Sequence, residues 1–193
     1  MSDTNKKPAV VILISGRGSN MISIVEAMRD GSLPITVAAV ISNRPDAAGL
    51  EYAKQLNIAT AVIDHKHFET RESFDQVLAQ KIDSYNPDLV VLAGFMRILT
   101  TEFVEQFAGK LINIHPSLLP KFKGLDTHQR AIDAGEKEHG ASVHFVTPEL
   151  DDGPVVLQAS VAVFENDTVK TLAARVLEQE HKLYPEAIRK LII

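Results

Sequence analysis

"AVVILISGRGSN", residues 9–20, is an apolar run that breaks directly into a glycine-rich turn. A short β-branched run bounded by turn residues reads as a strand covered on both faces. The turn leads into Ser19–Arg29, which is rich in good helix formers. Further runs of the same kind lie at 35–41, 58–63, 88–94 and 110–114, with helical patterns between them. Phe74, Val77, Leu78 and Ile82 follow the spacing of one buried helix face. Residues 46–56 are again rich in helix formers, and Thr100 is placed to cap a helix over 101–108. Strands alternating with helices make right-handed βαβ units, which build a parallel sheet. After residue 115 the pattern changes to a proline-containing loop, a helix near 127–135 and a strand over 141–146. An acidic turn, a strand over 155–163 and a helix from 167 to 190 complete the chain. No repeat, linker or low-complexity segment interrupts this order. The expected fold is α/β: one Rossmann-like domain over residues 1–193, with a mostly parallel twisted sheet and helices on both faces.

Composition narrows the function classes. Of the 193 residues 45% are apolar and 23% charged, which is ordinary for a globular protein. The formal net charge of −5 comes without long blocks of like charge, so neither nucleic acid nor a membrane surface is an expected partner. The chain has no cysteine, which excludes disulfides, thiolate metal sites and a cysteine nucleophile. The N-terminal "MSDTNKKPAV" reads as a lead into the first strand rather than a signal sequence, and no stretch reaches the roughly 20 apolar residues of a membrane span. A cytoplasmic protein is expected.

In open α/β sheets ligands bind beyond the carboxyl ends of the strands. After the first strand, Gly16 and Gly18 can take positive φ and expose backbone N–H groups at a helix start, with Ser19 and Asn20 as further donors. The alternative is a tight strand-to-helix turn with an ordinary cap. The loop is neither the dinucleotide fingerprint, since Met21 stands where a third glycine is needed, nor a Walker loop. "FMRIL" (95–99) after the fourth run is either packing or the wall of a flat ligand's pocket. After the fifth, Asn113 and His115 are two residues apart and therefore on one side of the strand. A lone histidine there is usually structural, whereas a carboxamide and an imidazole on one face can together donate to a developing oxyanion. Glu149, Asp151 and Asp152 in the acidic turn are candidates for the anion that an imidazolium needs beside it, or belong to a solvated turn. No Gly-x-Ser-x-Gly elbow supports serine catalysis. The pair His65 and His67 has no further ligand cluster to make a metal site. In the last helix Leu172, Val176, Tyr184 and Ile188 form a stripe that includes Glu180. A carboxylate there either sits at the stripe's edge or binds something polar.

Taken together, "ISGRGSNM", "VVLAGFMRIL", "INIHPSLLPKFKGLDTH" and "GASVHFVTPELDDGPVVLQ" closely resemble the phosphoribosylglycinamide formyltransferases, a folate-dependent family of purine synthesis. The similarity runs in order from about residue 8 to about 185. Residues 121–128, "KFKGLDTH", look like the purine branch rather than the methionyl-tRNA branch, where a Trp-Arg-Gly-Ala-Ala-Pro pattern is expected. The resemblance implies formyl transfer from 10-formyltetrahydrofolate, as co-substrate, to the ribonucleotide amine, with no metal. It implies that Asn113, His115 and Asp151 are catalytic. Gly18, Ser19 and Asn20 would bind the substrate phosphate and Glu180 the ribose hydroxyls. Arg71, Met96, Arg97, Ile98, Leu99 and Asn113 would contact the folate, with Val146, Thr147, Pro148, Glu149, Leu150 and Asp151 closing over it. The implied partners are small molecules, and the implied state is a monomer or weak homodimer. The rivals are a non-catalytic nucleotide-binding module and an enzyme formylating a sugar-nucleotide amine.

Overall fold

The computed structural model describes residues 6–193; residues 1–5, the first part of the charged N-terminal stretch, lie outside the described residues. Seven strands form one sheet in the order β3-β2-β1-β4-β5-β6-β7. β1 (Ala9–Ile14), β2 (Thr36–Ser42), β3 (Thr60–Val62), β4 (Leu89–Leu92) and β5 (Leu111–His115) run parallel, β6 (Glu138–Phe145) pairs antiparallel with β5, and β7 (Val155–Ala162) pairs antiparallel with β6. The crossover helices are α1 (Ser19–Arg29), α2 (Ala48–Gln55), α3 (Arg71–Asp83) and α4 (Thr101–Gln106); α5 (Thr127–Asp133) and the long α6 (Val169–Ile192) follow.

Period two divides the core into two layers. Val10, Ile12 and Ile14 of β1 pack with buried residues of α1, α2 and α6, while Val11 and Leu13 pack with those of α3 and α4. All five of those β1 side chains are fully buried, which is why the strand carries no polar residue until Ser15. The chain leaves β1 toward β2 and later returns to place β4 on the other side. The crevice above the β1 and β4 carboxyl ends is therefore the switch point at which such sheets bind ligands.

Several sequence expectations shift in detail. Val77 is 40% exposed and lies off the buried face of α3, which is Phe74, Asp75, Leu78, Ala79 and Ile82. At about 100° per residue these five share one arc, and Val77 falls outside it. β3 and β4 are shorter than their apolar runs; after β4, Ala93 and Gly94 already turn away, Gly94 with φ 74°. β6 begins three residues earlier than expected, at Glu138, and α2 starts at Ala48. Thr100 caps α4 by accepting the Phe103 N–H at 3.3 Å. Among the described residues no helix is long and apolar enough to cross a membrane.

The stripe of α6 is buried throughout, and its polar members bond across the core. Tyr184 is fully buried, and its hydroxyl donates to the Leu92 carbonyl at 2.7 Å, with the Ile112 carbonyl at 3.3 Å. It thus joins α6 to the ends of β4 and β5, which carry the site. Tyr184→Phe removes this donor while the β4–β5 ladder still serves the carbonyls, an expected loss of about 0.5–1.5 kcal/mol in unfolding free energy. Urea titration of the two proteins measures that difference.

Candidate active site

Two clefts open side by side along the carboxyl edge. The first, about 310 Å³, lies over the turn after β1 and is lined by residues 15–20, Arg44, Ala93, Gly94 and Met96. Gly18 is in the left-handed region at φ 71°, whereas Gly16 is not among the positive-φ residues. A Cβ on Gly18 would stand 3.0 Å from Met21 Cε. Gly18 is the N-cap of α1 and no side chain caps it, so the first-turn N–H groups face the cleft side unclaimed. The loop is supported from below by α2, where Gly49 N–H donates to the Gly16 carbonyl at 3.1 Å. A Cβ on Gly49 would come within 2.7 Å of Ile14 Cδ1, so this close approach needs glycine. Nothing in the sequence around Gly49 announces that role.

Asn20 and Glu180 meet at the edge of this cleft. Asn20 Nδ2 donates to Glu180 Oε2 at 2.7 Å, and both residues are buried. Of the two readings of Glu180, the polar partner is the one found. Burial pushes its carboxyl up from the ordinary range, against the Asn20 bond that lowers it. Asn20 Oδ1 is buried without a partner.

The second cleft, about 480 Å³, has one wall from residues 95–99, a floor that includes Asn113 and His115, and the 146–151 loop opposite. Met96 and Ile98 are 75% and 63% exposed and Leu150 is 60% exposed. These apolar side chains are open to the cleft rather than packed into the core. Met96 lines both clefts. Its N–H donates to Ser15 Oγ at 2.8 Å, and the Ser15 hydroxyl donates to Asn43 Oδ1 at 2.6 Å. Arg71 stands exposed at the first position of α3, outside the residues that line this cleft.

At the floor, strand register assembles the polar group. Asn113 pairs across with His144 and His115 with Ser142, so all four share one face of the β5–β6 ladder. Asp151 then arrives from the following turn: Oδ2 is 3.4 Å from His115 Nδ1, and Oδ1 is 3.8 Å from His144 Nε2. The Asp151 side chain is 7% exposed, and Oδ2 also accepts the Gly124 N–H at 2.9 Å. His115 Nε2 donates to the Phe122 carbonyl at 2.9 Å. Both ring nitrogens of His115 thus face acceptors, a carbonyl and a carboxylate. His144 is held below its ordinary pKa by burial; its Nδ1 donates to the Phe145 carbonyl at 2.9 Å, and its Nε2 is buried without a partner. Ser142 donates to the Ser117 carbonyl at 2.7 Å and fixes the start of the loop that follows His115. Sequence reasoning passed over Ser142 and His144. The available signal was the polar pair Ser142 and His144, alternating with apolar Ala141, Val143 and Phe145.

An open, mostly parallel sheet with a glycine turn after its first strand and a carboxamide–imidazole–carboxylate group two strands away is an arrangement typical of α/β enzymes that act at the carboxyl edge. The chain belongs to the formyl transferase family, whose profile matches residues 8–188. It is 54% identical to the phosphoribosylglycinamide formyltransferase of Escherichia coli over 93% of this chain and 84% of that one. The solved phosphoribosylglycinamide formyltransferase of Coxiella burnetii superposes with a TM-score of 0.91 at 50% identity, covering 95% of this chain and 86% of that one. The glycinamide ribonucleotide transformylase 1 of Symbiobacterium toebii superposes at 0.93, with 43% identity over 98% and 89% of the two chains.

Behind the floor lies a histidine pair with a pH consequence. His139 of β6 is 1% exposed, and its Nε2 is 3.1 Å from His128 Nδ1 on α5. Burial, then the neighbouring His128, pushes His139 down from 6.5 to about 4. Above pH 6.5 the ring is neutral whether the chain is folded or not; below it the unfolded chain takes up a proton that the native site refuses. This contribution to stability is therefore lost as pH falls from 6.5 toward 4. Thermal unfolding across that range should show a steeper acid decline for the wild type than for His139→Gln.

Proposed function

We propose that this enzyme transfers the formyl group of 10-formyltetrahydrofolate to the amine of N1-(5-phosphoribosyl)glycinamide, a step of purine biosynthesis. Residues 1–193 act as one formyltransferase domain, in the cytoplasm, as a monomer or weak homodimer. The observation that carries the reading is the junction of two unlike clefts at one polar group. An anion-type turn borders an apolar-walled slot, and Asn113, His115 and Asp151 lie at the floor of that slot. The names of the relatives supply the matching substrates.

In this reading Gly18, Ser19 and Asn20 hold the phosphate at the α1 N-terminus, and Glu180 takes the ribose hydroxyls. Residues 96–99 and 146–151 enclose the pteridine, with the Asn113 carboxamide within reach of the formyl oxygen. The substrate amine attacks the formyl carbon directly. The electron pair of the carbonyl moves to oxygen, and Asn113 stabilises the tetrahedral oxyanion by donating from Nδ2. His115 joins it by exchanging the Phe122 carbonyl for the oxyanion, then gives a proton to the departing folate nitrogen. Asp151 holds the imidazole in place and accepts the proton shed by the amine. Tetrahydrofolate and the formylated glycinamide leave.

The test follows tetrahydrofolate release with the glycinamide ribonucleotide and, separately, with a sugar-nucleotide amine. Transfer to the glycinamide only is expected; transfer to the sugar amine, or to neither, rejects the reading. Asp151→Asn keeps an oxygen for the Gly124 N–H, so both KM values should stay within a few-fold. Its kcat should fall at least about 100-fold, the scale of losing acid–base or oxyanion assistance. Glu180→Gln separates binding from folding. Replacing a carboxylate whose charge is disfavoured by burial should leave Tm at pH 7 unchanged or higher. The ribonucleotide KM should rise all the same.

A further inference from the structure

The 95–99 wall has no regular secondary structure and must be held by its ends. On one side Met96 N–H is bound by Ser15. On the other, Thr100 N–H donates to Asp75 Oδ2 at 2.6 Å. Between them the Arg97 guanidinium lies over the Phe74 ring, 4.9 Å from its centroid. Phe74 and Asp75 are neighbours on α3, so one turn of this helix grips both Arg97 and the residue that ends the wall.

Asp75 is out of place as a structural residue. It is 3% exposed, on a face otherwise made of Phe74, Leu78, Ala79 and Ile82. Buried carboxylates are kept where they are hydrogen-bonded or paired. Here Oδ2 has the Thr100 N–H, but Oδ1 has no partner, and Arg97 Nε is likewise buried without one. Burial pushes the Asp75 carboxyl up; the Thr100 bond, then the charges of Arg97 and Arg71, pull it down. The two arginines that the resemblance assigns to folate thus act electrostatically on the same carboxylate, although Arg71 is outside the cleft.

We propose that Asp75 is a positioning residue for the formylfolate half of the site: through Thr100 N–H and its charge on Arg97, it sets the shape of the 96–99 wall. It touches no reacting atom, and the ribonucleotide cleft does not depend on it. The inference rests on the folate reading of that cleft.

Three proteins test it: wild type, Asp75→Ala, which loses acceptor and charge, and Asp75→Asn, which keeps an acceptor for Thr100 N–H. Steady-state kinetics are combined with binding of a non-reactive folate analogue and with thermal unfolding. Loss of a charged acceptor predicts a rise of about 10-fold or more in formylfolate KM and analogue Kd for Asp75→Ala. Asp75→Asn should show a smaller rise. In both, ribonucleotide KM and kcat should stay within about 3-fold, because uniform binding rather than transition-state contact is lost. A folded Asp75→Ala with wild-type folate KM overturns the proposal. So does a parallel loss of both KM values and kcat, which marks a purely structural role. If Asp75→Ala does not fold, Asp75→Asn at wild-type folate KM overturns it. Wild-type protein that binds no folate analogue rejects the folate reading instead.

Discussion

One carboxylate joins the segments on which the site depends. Asp151 faces His115 at the end of β5 and His144 on β6, and accepts the Gly124 N–H from the loop that follows His115. It ties the paired strands β5 and β6 to the loop that follows His115. Its backbone is in the left-handed region at φ 51°, a conformation Asp tolerates better than most residues at a cost of about 1–2 kcal/mol. Two residues on, a Cβ at Gly153 would stand 1.8 Å from the Phe145 carbonyl, so the turn is pressed against β6 as closely as a bare backbone allows. The Lys123–Asp152 ion pair ties the same two loops at the surface. An exposed pair of that kind contributes little stability, and its effect is on loop register.

The sheet supplies what Asp151 organises. Parallel pairing puts the ends of β1, β4 and β5 at one edge, and the reversal at β1 and β4 opens the crevice there. Long-range bonds then fix the edge from beneath. Tyr184 holds the ends of β4 and β5, Asn20 holds Glu180 to the turn after β1, and Ser15 ties that turn to the wall of the second cleft. Each uses a buried polar group with a definite partner, which gives the edge one geometry rather than several.

Much of this could be read in the sequence because it is periodic. Fully apolar runs such as 9–14 have one reading in a layered α/β protein, and period two alone puts Asn113 and His115 on one side. The acidic turn stood out by composition. What stayed hidden depends on partners distant in the chain. Nothing local says that Glu180 meets Asn20, 160 residues away, or that His144 lies opposite Asn113. Nothing local announces that Asp75 accepts the Thr100 N–H, 25 residues away. Val77 was placed on the wrong face because a three-residue step fits either edge of an apolar stripe, and only packing chooses. Gly49 gave no signal, since close backbone approach is a property of two elements together.

The proposed reaction is direct transfer, in which both substrates would occupy the edge at once and the formyl group would never be attached to the protein. Mixing the enzyme with an isotopically labelled formyl donor in the absence of the amine, then quenching for mass spectrometry and for tetrahydrofolate, tests this directly. The account predicts unmodified protein and no burst, with tetrahydrofolate released only when the glycinamide ribonucleotide is added. A stoichiometric burst of tetrahydrofolate together with formyl-labelled protein is the signature of a covalent intermediate, and it would contradict the account.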